Sequence, residues 1–264
     1  MNLSEIPLFD AHFHIIDSRF PLVENQGYLP TAFTCDDYLK RMRGTALKGG
    51  IVVSGSFQAF DQSYLLAALK TLGPGYYGVT QLESSVSDDR IRQLDRSGIR
   101  GVRFNLFRGN PVNLSELSSF AHRIYERAQW HVELYISMSQ IDQLYGWIRE
   151  LPMVSIDHMG LSNVASERFL DLVESGMRVK ASGFGRVQSD PVPMIRRIYA
   201  ANPNSLMFGS DLPGTRSPRP FTSLDLERIG DALCGNGVRQ LLYDNARKFY
   251  RLIGADSELE ESVQ

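Results

Sequence analysis

The stretch LFDAHFHIID (residues 8–17) runs an apolar segment into two histidines spaced two apart. In an extended strand, residues i and i+2 point to the same face, so His12 and His14 would present neighbouring imidazoles on one side of the backbone. Packing alone rarely asks for such a pair. A strand that ends at a polar site does.

Outward from this segment, short β-rich runs recur: GIVVSGS (50–56), YYGVTQLE (76–83), GVRFNL (101–106), HVELYIS (131–137), MVSIDH (153–158), RVKASG (178–183) and LMFGSD (206–211). The segments between them carry helical periodicity. SELSSFAHRIYERAQ (115–129) sets Leu117, Phe120, Ile124 and Tyr125 on one face. CDDYLKRMRG, DQSYLLAALKTLG, DDRIRQLDRSG, QIDQLYGWIREL, SERFLDLVESG and DPVPMIRRIYAANP read likewise, several with Ser or Asp at the start and Gly at the end.

Alternating strands and helices imply parallel strands joined by right-handed crossovers, and eight strands close naturally into an α/β (β/α)8 TIM barrel. An open doubly wound sheet would normally carry a glycine-rich phosphate loop after its first strand, and none is present. No internal repeat or linker divides the chain, so residues 1–264 read as a single domain, with an acidic tail at about 255–264 expected to fray. Residues 15–34 are too polar and proline-punctuated for a helix and predict a long first βα loop, a segment that commonly serves the active site of a barrel.

Composition narrows the function. The 264 residues are 43% hydrophobic and 22% charged, enough for a large core, and the net charge of -2 with no basic stretch interleaved with aromatics argues against nucleic acid. The N-terminus lacks the basic region and apolar core of a signal peptide, and no apolar run is long enough to span a bilayer, so no membrane association and a cytoplasmic location are expected. Cys35 and Cys234 are far apart and lack metal-ligand spacing, so any metal would use histidine and carboxylate. Oligomeric state is not written in the sequence.

Catalytic groups on a barrel sit at the C-terminal ends of the strands. His12 and His14 close the first run, Arg103 and Asn105 the fourth, Tyr135 the fifth, His158 the sixth and Asp211 the eighth, with Arg186 just past the seventh. His122, inside a helical pattern, and His131, at a strand start, read as ordinary packing or surface residues. Three imidazoles and one carboxylate suit a single divalent metal with open positions, zinc first and manganese next. Arg103 lies in a strand that would normally be apolar, where a guanidinium is well shaped to grip a carboxylate; Arg108 and Arg186 are candidates for the same task, against the alternative of a solvated surface. Tyr135 either packs or binds substrate. Glu133, one layer deeper, is expected to pair with a buried cation. Tyr28, in the long loop, could reach over the mouth or simply anchor the loop.

At these residues the chain resembles the amidohydrolase superfamily, in the lactonase branch typified by 2-pyrone-4,6-dicarboxylate hydrolases. DAHFH, GVRFNL, WHVELYI, IDHMG, VKASG, FGSDLP and DNARKFY occur in that branch's order over nearly the whole chain. The resemblance implies a barrel hydrolase acting on a small carboxylated lactone, with His12, His14 and His158 around the attacked carbonyl and Asp211 as general base. It places Arg103, Tyr135 and Arg186 at the substrate. It also implies that catalysis without metal is open, the imidazoles then polarising the carbonyl by hydrogen bonding. The bridging lysine and fifth-strand histidine of binuclear relatives are replaced by Arg103 or Asn105 and by Tyr135, and Leu212 and Gly214 stand where Trp and His commonly follow the aspartate. The alternatives are a metal-dependent decarboxylase of the same superfamily and a non-catalytic binding barrel.

Overall fold

The computed structural model describes residues 3–109, 113–187 and 189–252, so the acidic tail lies outside the described residues. Eight strands, β1 (Pro7–Phe13), β2 (Ala46–Val53), β3 (Tyr76–Thr80), β4 (Ile99–Asn105), β5 (His131–Tyr135), β6 (Val154–Ile156), β7 (Arg178–Ala181) and β8 (Leu206–Phe208), follow one another around the sheet in sequence order. Each neighbouring pair is parallel. The turn after β8 completes the ring: Asp211 N–H donates to the His12 carbonyl and His14 N–H to the Leu212 carbonyl, both at 2.7 Å. The fold is a (β/α)8 TIM barrel, and it closes at the residues that the sequence marks as chemical.

A bulge in β1 decides which way those residues face. Asp10 is registered with Gly50 but Phe13 with Val52, so one extra residue is accommodated between them. Bulges re-aim side chains and cluster beside active sites. Asp10 therefore accepts from Tyr38 of α1 (Cys35–Arg41), on the outer layer, at 3.2 Å, and Phe13 stacks on the same Tyr38 ring at 3.7 Å. His12 and His14, in the shifted phase, face the barrel interior with their rings 5.0 Å apart.

The helices mostly follow the predicted periodicity. α1 starts on a capping box in which Thr34 and Asp37 satisfy each other's backbone N–H. α2 (Ser63–Leu72), α3 (Asp88–Arg96) and α4 (Leu114–Ala128) follow, and Phe120, Ala121 and Ile124 bury the inner face of α4. Tyr125 does not join that face; it is 39% exposed, because the stripe runs through Ala121 instead. The predicted single helix over 140–151 is two short ones, α5 (Met138–Gln143) and α6 (Tyr145–Glu150), which meet at Leu144, whose ψ of 13° leaves the helical range. α7 (Glu167–Glu174), α8 (Val192–Ala201) and α9 (Ser223–Ala232) continue the outer ring, and a last helical stretch over residues 236–249 packs against β1 and β8. Among the described residues no helix is long and apolar enough to cross a membrane.

Residues 15–34 form the expected loop, held down at several points. Ile16 and Phe33 pair as an antiparallel bridge, Val23 N–H donates to the Phe57 carbonyl at 2.8 Å, and Gln26 Nε2 donates to the Arg108 carbonyl at 3.2 Å. The loop thus straps the first strand's exit to those of the second and fourth.

Candidate active site

The two short strands β6 and β8 end before the residues that matter. His158 and Asp211 both lie in turns beyond them, with φ of 50° and 57°. Left-handed backbone is costly for residues with a Cβ and concentrates at functional sites. Here it swings His158 and Asp211 inward over the end of the barrel. Gly183, at φ 62°, makes room: a Cβ there would sit 2.7 Å from His158 Nδ1.

Asp211 Oδ1 is the point of convergence. His12 Nε2 lies 3.9 Å from it, His14 Nε2 3.7 Å and His158 Nε2 3.8 Å. Arg186 grips the same carboxylate in a fork, Nε donating to Oδ2 at 2.7 Å and Nη2 to Oδ1 at 2.9 Å. Burial pushes the Asp211 pKa up, but Arg186, His158 and His14 together outweigh it, the guanidinium most strongly, and hold the group well below the usual carboxylate range. Burial lowers the imidazoles, but at His12 the Asp157 and Glu133 carboxylates outweigh it and raise the pKa above its ordinary value. His14 titrates below its ordinary value and His158 well below, despite the pull of Asp211.

Hydrogen bonds on the far ring nitrogens set the tautomers. His14 Nδ1 donates to the Val53 carbonyl at 2.7 Å, which leaves a lone pair on Nε2 facing Asp211. His158 Nδ1 is 2.9 Å from Ser182 Oγ. His12 Nδ1 lies 3.2 Å from the Lys180 ammonium, 3.2 Å from Asp157 Oδ1 and 3.3 Å from Glu133 Oε1; accepting from Lys180 would leave the ring proton on Nε2, facing the site.

Beneath this layer lies a buried charge network. Lys180 donates to Glu133 and stands 3.8 Å from Asp157 Oδ1. Arg103 Nε donates to Asp157 Oδ2 at 2.9 Å and Nη1 to the Ser54 carbonyl at 3.3 Å. Burial raises the Glu133 pKa, yet Lys180, with His12 and His131, carries it well below the ordinary value. Three carboxylates (Glu133, Asp157, Asp211) thus face three cations (Arg103, Lys180, Arg186).

Above, one small cavity opens to solvent, lined by His14, Tyr28, Arg103, Asn105, Arg108, Tyr135, Arg186 and Arg216, among others. Tyr135 is buried, its ring edge-on to His158 at 5.7 Å and covered by the Arg103 guanidinium at 4.9 Å. Each of the nine candidate residues therefore lies at this end of the barrel, either on the cavity wall or at the Asp211 convergence below it. His122 is elsewhere, its Nδ1 bonded to the Ser118 carbonyl. His131 is packed among Phe249 and Tyr250 at the start of β5.

Sequence reading missed Lys180, Asp157, Ser182 and Arg216. A signal for the first two was present: a lysine inside RVKASG and an aspartate inside MVSIDH break the apolar pattern of a parallel strand, as Arg103 does.

The donor set can be tested for a metal. His12 Nε2 and His158 Nε2 are buried with no hydrogen-bond partner, and these atoms and an Asp211 oxygen all lie within 4.8 Å of one another. Such nitrogen and carboxylate donors fit a divalent ion. A second grouping, His12, Glu133 and Asp157, already holds the Lys180 ammonium.

Comparison with known proteins agrees with this fold. The chain is 27% identical over 273 aligned residues to a 2-pyrone-4,6-dicarboxylate hydrolase of Comamonas testosteroni, covering 91% of this chain and 89% of that one. It is 24% identical to a 4-sulfomuconolactone hydrolase of Rhizobium radiobacter, over 78% of this chain and 75% of that one. A crystal structure of a candidate 2-pyrone-4,6-dicarboxylic acid hydrolase from Pseudomonas putida superposes with a TM-score of 0.75 at 27% identity, over 96% of this chain and 99% of that one. The amidohydrolase family model matches residues 9–252, nearly the whole barrel, and the chain therefore belongs to the amidohydrolase family and is a hydrolase.

Proposed function

We propose that the chain hydrolyses a lactone bearing acidic substituents, with Asp211 as the base that activates water. The observation that carries this reading is the meeting of three buried imidazole nitrogens on one carboxylate oxygen at 3.7–3.9 Å, directly below an arginine-lined cavity. The relatives named above act on a pyrone dicarboxylate and on a sulfomuconolactone, both cyclic esters with acidic groups.

The roles follow from the tautomers. A water between Asp211 and the lone pair on His14 Nε2 is oriented by both, and Asp211 takes its proton as the oxygen attacks the carbonyl. The proton on His12 Nε2 points to the same place and stabilises the developing oxyanion. Lys180 holds that tautomer from below. Asp211 then returns the proton to the leaving oxygen. Arg186 gives up one or both of its bonds to Asp211 when a substrate carboxylate enters, which restores basicity where it is needed.

Zinc or manganese would be held by His12, His158 and Asp211, with His12 in its other tautomer, Nδ1–H toward Asp157 at 3.2 Å. When bound, such an ion supplies Lewis-acid polarisation of the carbonyl. With an ion bound His12 would give up its Nε2 proton and the oxyanion contact, while His14, Arg103 and Arg186 would keep their work on water and substrate position.

The test is hydrolysis of 2-pyrone-4,6-dicarboxylate and 4-sulfomuconolactone by the purified protein, before and after chelation, with product analysis and elemental analysis. Ring-opened acid with no carbon dioxide supports the reading. Release of carbon dioxide points instead to a decarboxylase, and tight dicarboxylate binding without turnover to a binding barrel.

A further inference from the structure

Four arginines line the cavity, but they are not equivalent. Arg103 and Arg186 already have buried counter-ions, Asp157 and Asp211. Arg108 and Arg216 have no carboxylate within salt-bridge distance among the described residues, and both are only half-buried. Two positive charges at the mouth are therefore left without a protein counter-ion among the described residues.

Arg216 is also built into its place. It lies in the turn after β8, at φ 59°, a backbone region that a long side chain rarely adopts. Its Nη2 donates to the Asn25 carbonyl, and its guanidinium lies over the Tyr28 ring at 4.5 Å. One planar face is thus occupied by an aromatic ring and one N–H by a backbone carbonyl, which fixes the orientation of the remaining donors on the wall of the cavity. Arg108 is tied to the same loop from the opposite side through its carbonyl and Gln26.

We propose that Arg216 is a specificity-determining residue which, with Arg108, forms a distal anion subsite for a second acidic group on the lactone. The inference rests on the lactone reading and deepens it: the preferred substrate is a dianion, with one acidic group toward Arg103 and Arg186 and the other, carboxylate or sulfonate, at Arg108 and Arg216. A monoanionic ring leaves the distal pair unpaired and gains nothing from it.

The test compares wild type, Arg216→Gln and Arg216→Lys on 2-pyrone-4,6-dicarboxylate, on 4-sulfomuconolactone and on a 2-pyrone bearing one carboxylate. Arg216→Gln is expected to lower kcat/KM for the dianions about 10- to 100-fold, chiefly through KM, as loss of a charge-assisted bond does, and to change the monoanion less than about 3-fold. Arg216→Lys keeps the charge without the fork and falls between. An equal loss on all three rings would show that Arg216 only holds the loop, and overturns the proposal; an unchanged dianion preference does the same. Calorimetric binding of the dicarboxylate to Asp211→Asn, with and without Arg216→Gln, separates the two readings. Weaker binding on removing Arg216 supports the subsite even where wild type hydrolyses nothing, whereas equal or absent dicarboxylate binding overturns the subsite irrespective of turnover.

Discussion

Lys180→Met removes one charge from a site that water does not reach. Lys180 is fully buried in β7, bonded to Glu133, 3.2 Å from His12 Nδ1 and 3.8 Å from Asp157 Oδ1. Methionine is similar in length, so the change is electrical more than steric, and it leaves two cations facing three carboxylates. Breaking one side of a buried ion pair costs about 3–5 kcal/mol, out of a total stability of about 5–15 kcal/mol. At a urea slope of about 3 kcal/mol/M, the unfolding midpoint should fall by about 1–1.7 M. Equilibrium urea unfolding, followed by the fluorescence of the buried Trp130, reads this directly. The pH dependence gives an internal check. In wild type, Lys180 holds the Glu133 pKa below its unfolded value, so that contribution is present above about pH 4.3 and is lost as pH falls through the folded value. Without Lys180 the folded Glu133 pKa rises above the unfolded one, the native state takes up a proton, and the gap between the variants should narrow toward low pH. Adding Glu133→Gln to Lys180→Met should recover most of the lost stability. An unchanged midpoint, or a gap that widens on acidification, would refute the reasoning.

Three further outcomes are expected. Gly183→Ala places a Cβ 2.7 Å from His158 Nδ1 at a φ of 62°, so thermal unfolding should report a loss of about 1–3 kcal/mol and lactone turnover should fall as His158 is displaced. Because Arg186 holds Asp211 well below the usual carboxylate range, kcat/KM for wild type should stay flat as pH falls to about 5; in Arg186→Gln the acid limb should move up into the ordinary carboxylate range, and a limb at the same pH in both would exclude Arg186 as its cause. Zinc added to chelated protein should raise Tm, and His158→Asn should abolish the shift; a shift that survives the substitution would place the ion elsewhere.

The barrel was legible because its signals are local: apolar runs, caps and glycine stops recur along the chain and need no knowledge of the tertiary structure. The histidine pair was legible for the same reason, since a two-residue spacing fixes a shared face, and the β1 bulge preserves that relation while moving Asp10 to the outer layer. His158 and Asp211 stand out by composition, but the left-handed turns that aim them lie beyond three-residue strands and follow no propensity rule. The Lys180–Glu133 pair joins β5 and β7, strands that are not neighbours in the sheet, so only closure of the barrel brings it together. Arg216 was hidden for a different reason. Its place depends on a loop about 190 residues earlier in the chain, which supplies the carbonyl and ring that hold it.

The most direct measurement is steady-state hydrolysis of 2-pyrone-4,6-dicarboxylate by Asp211→Asn beside wild type, with circular dichroism to show that the barrel is intact. Loss of the general base should lower kcat by about 10²–10⁴-fold while the folded spectrum is kept. Turnover at the wild-type rate in a folded Asp211→Asn protein would contradict the claim that the three imidazoles and this carboxylate form the reacting centre.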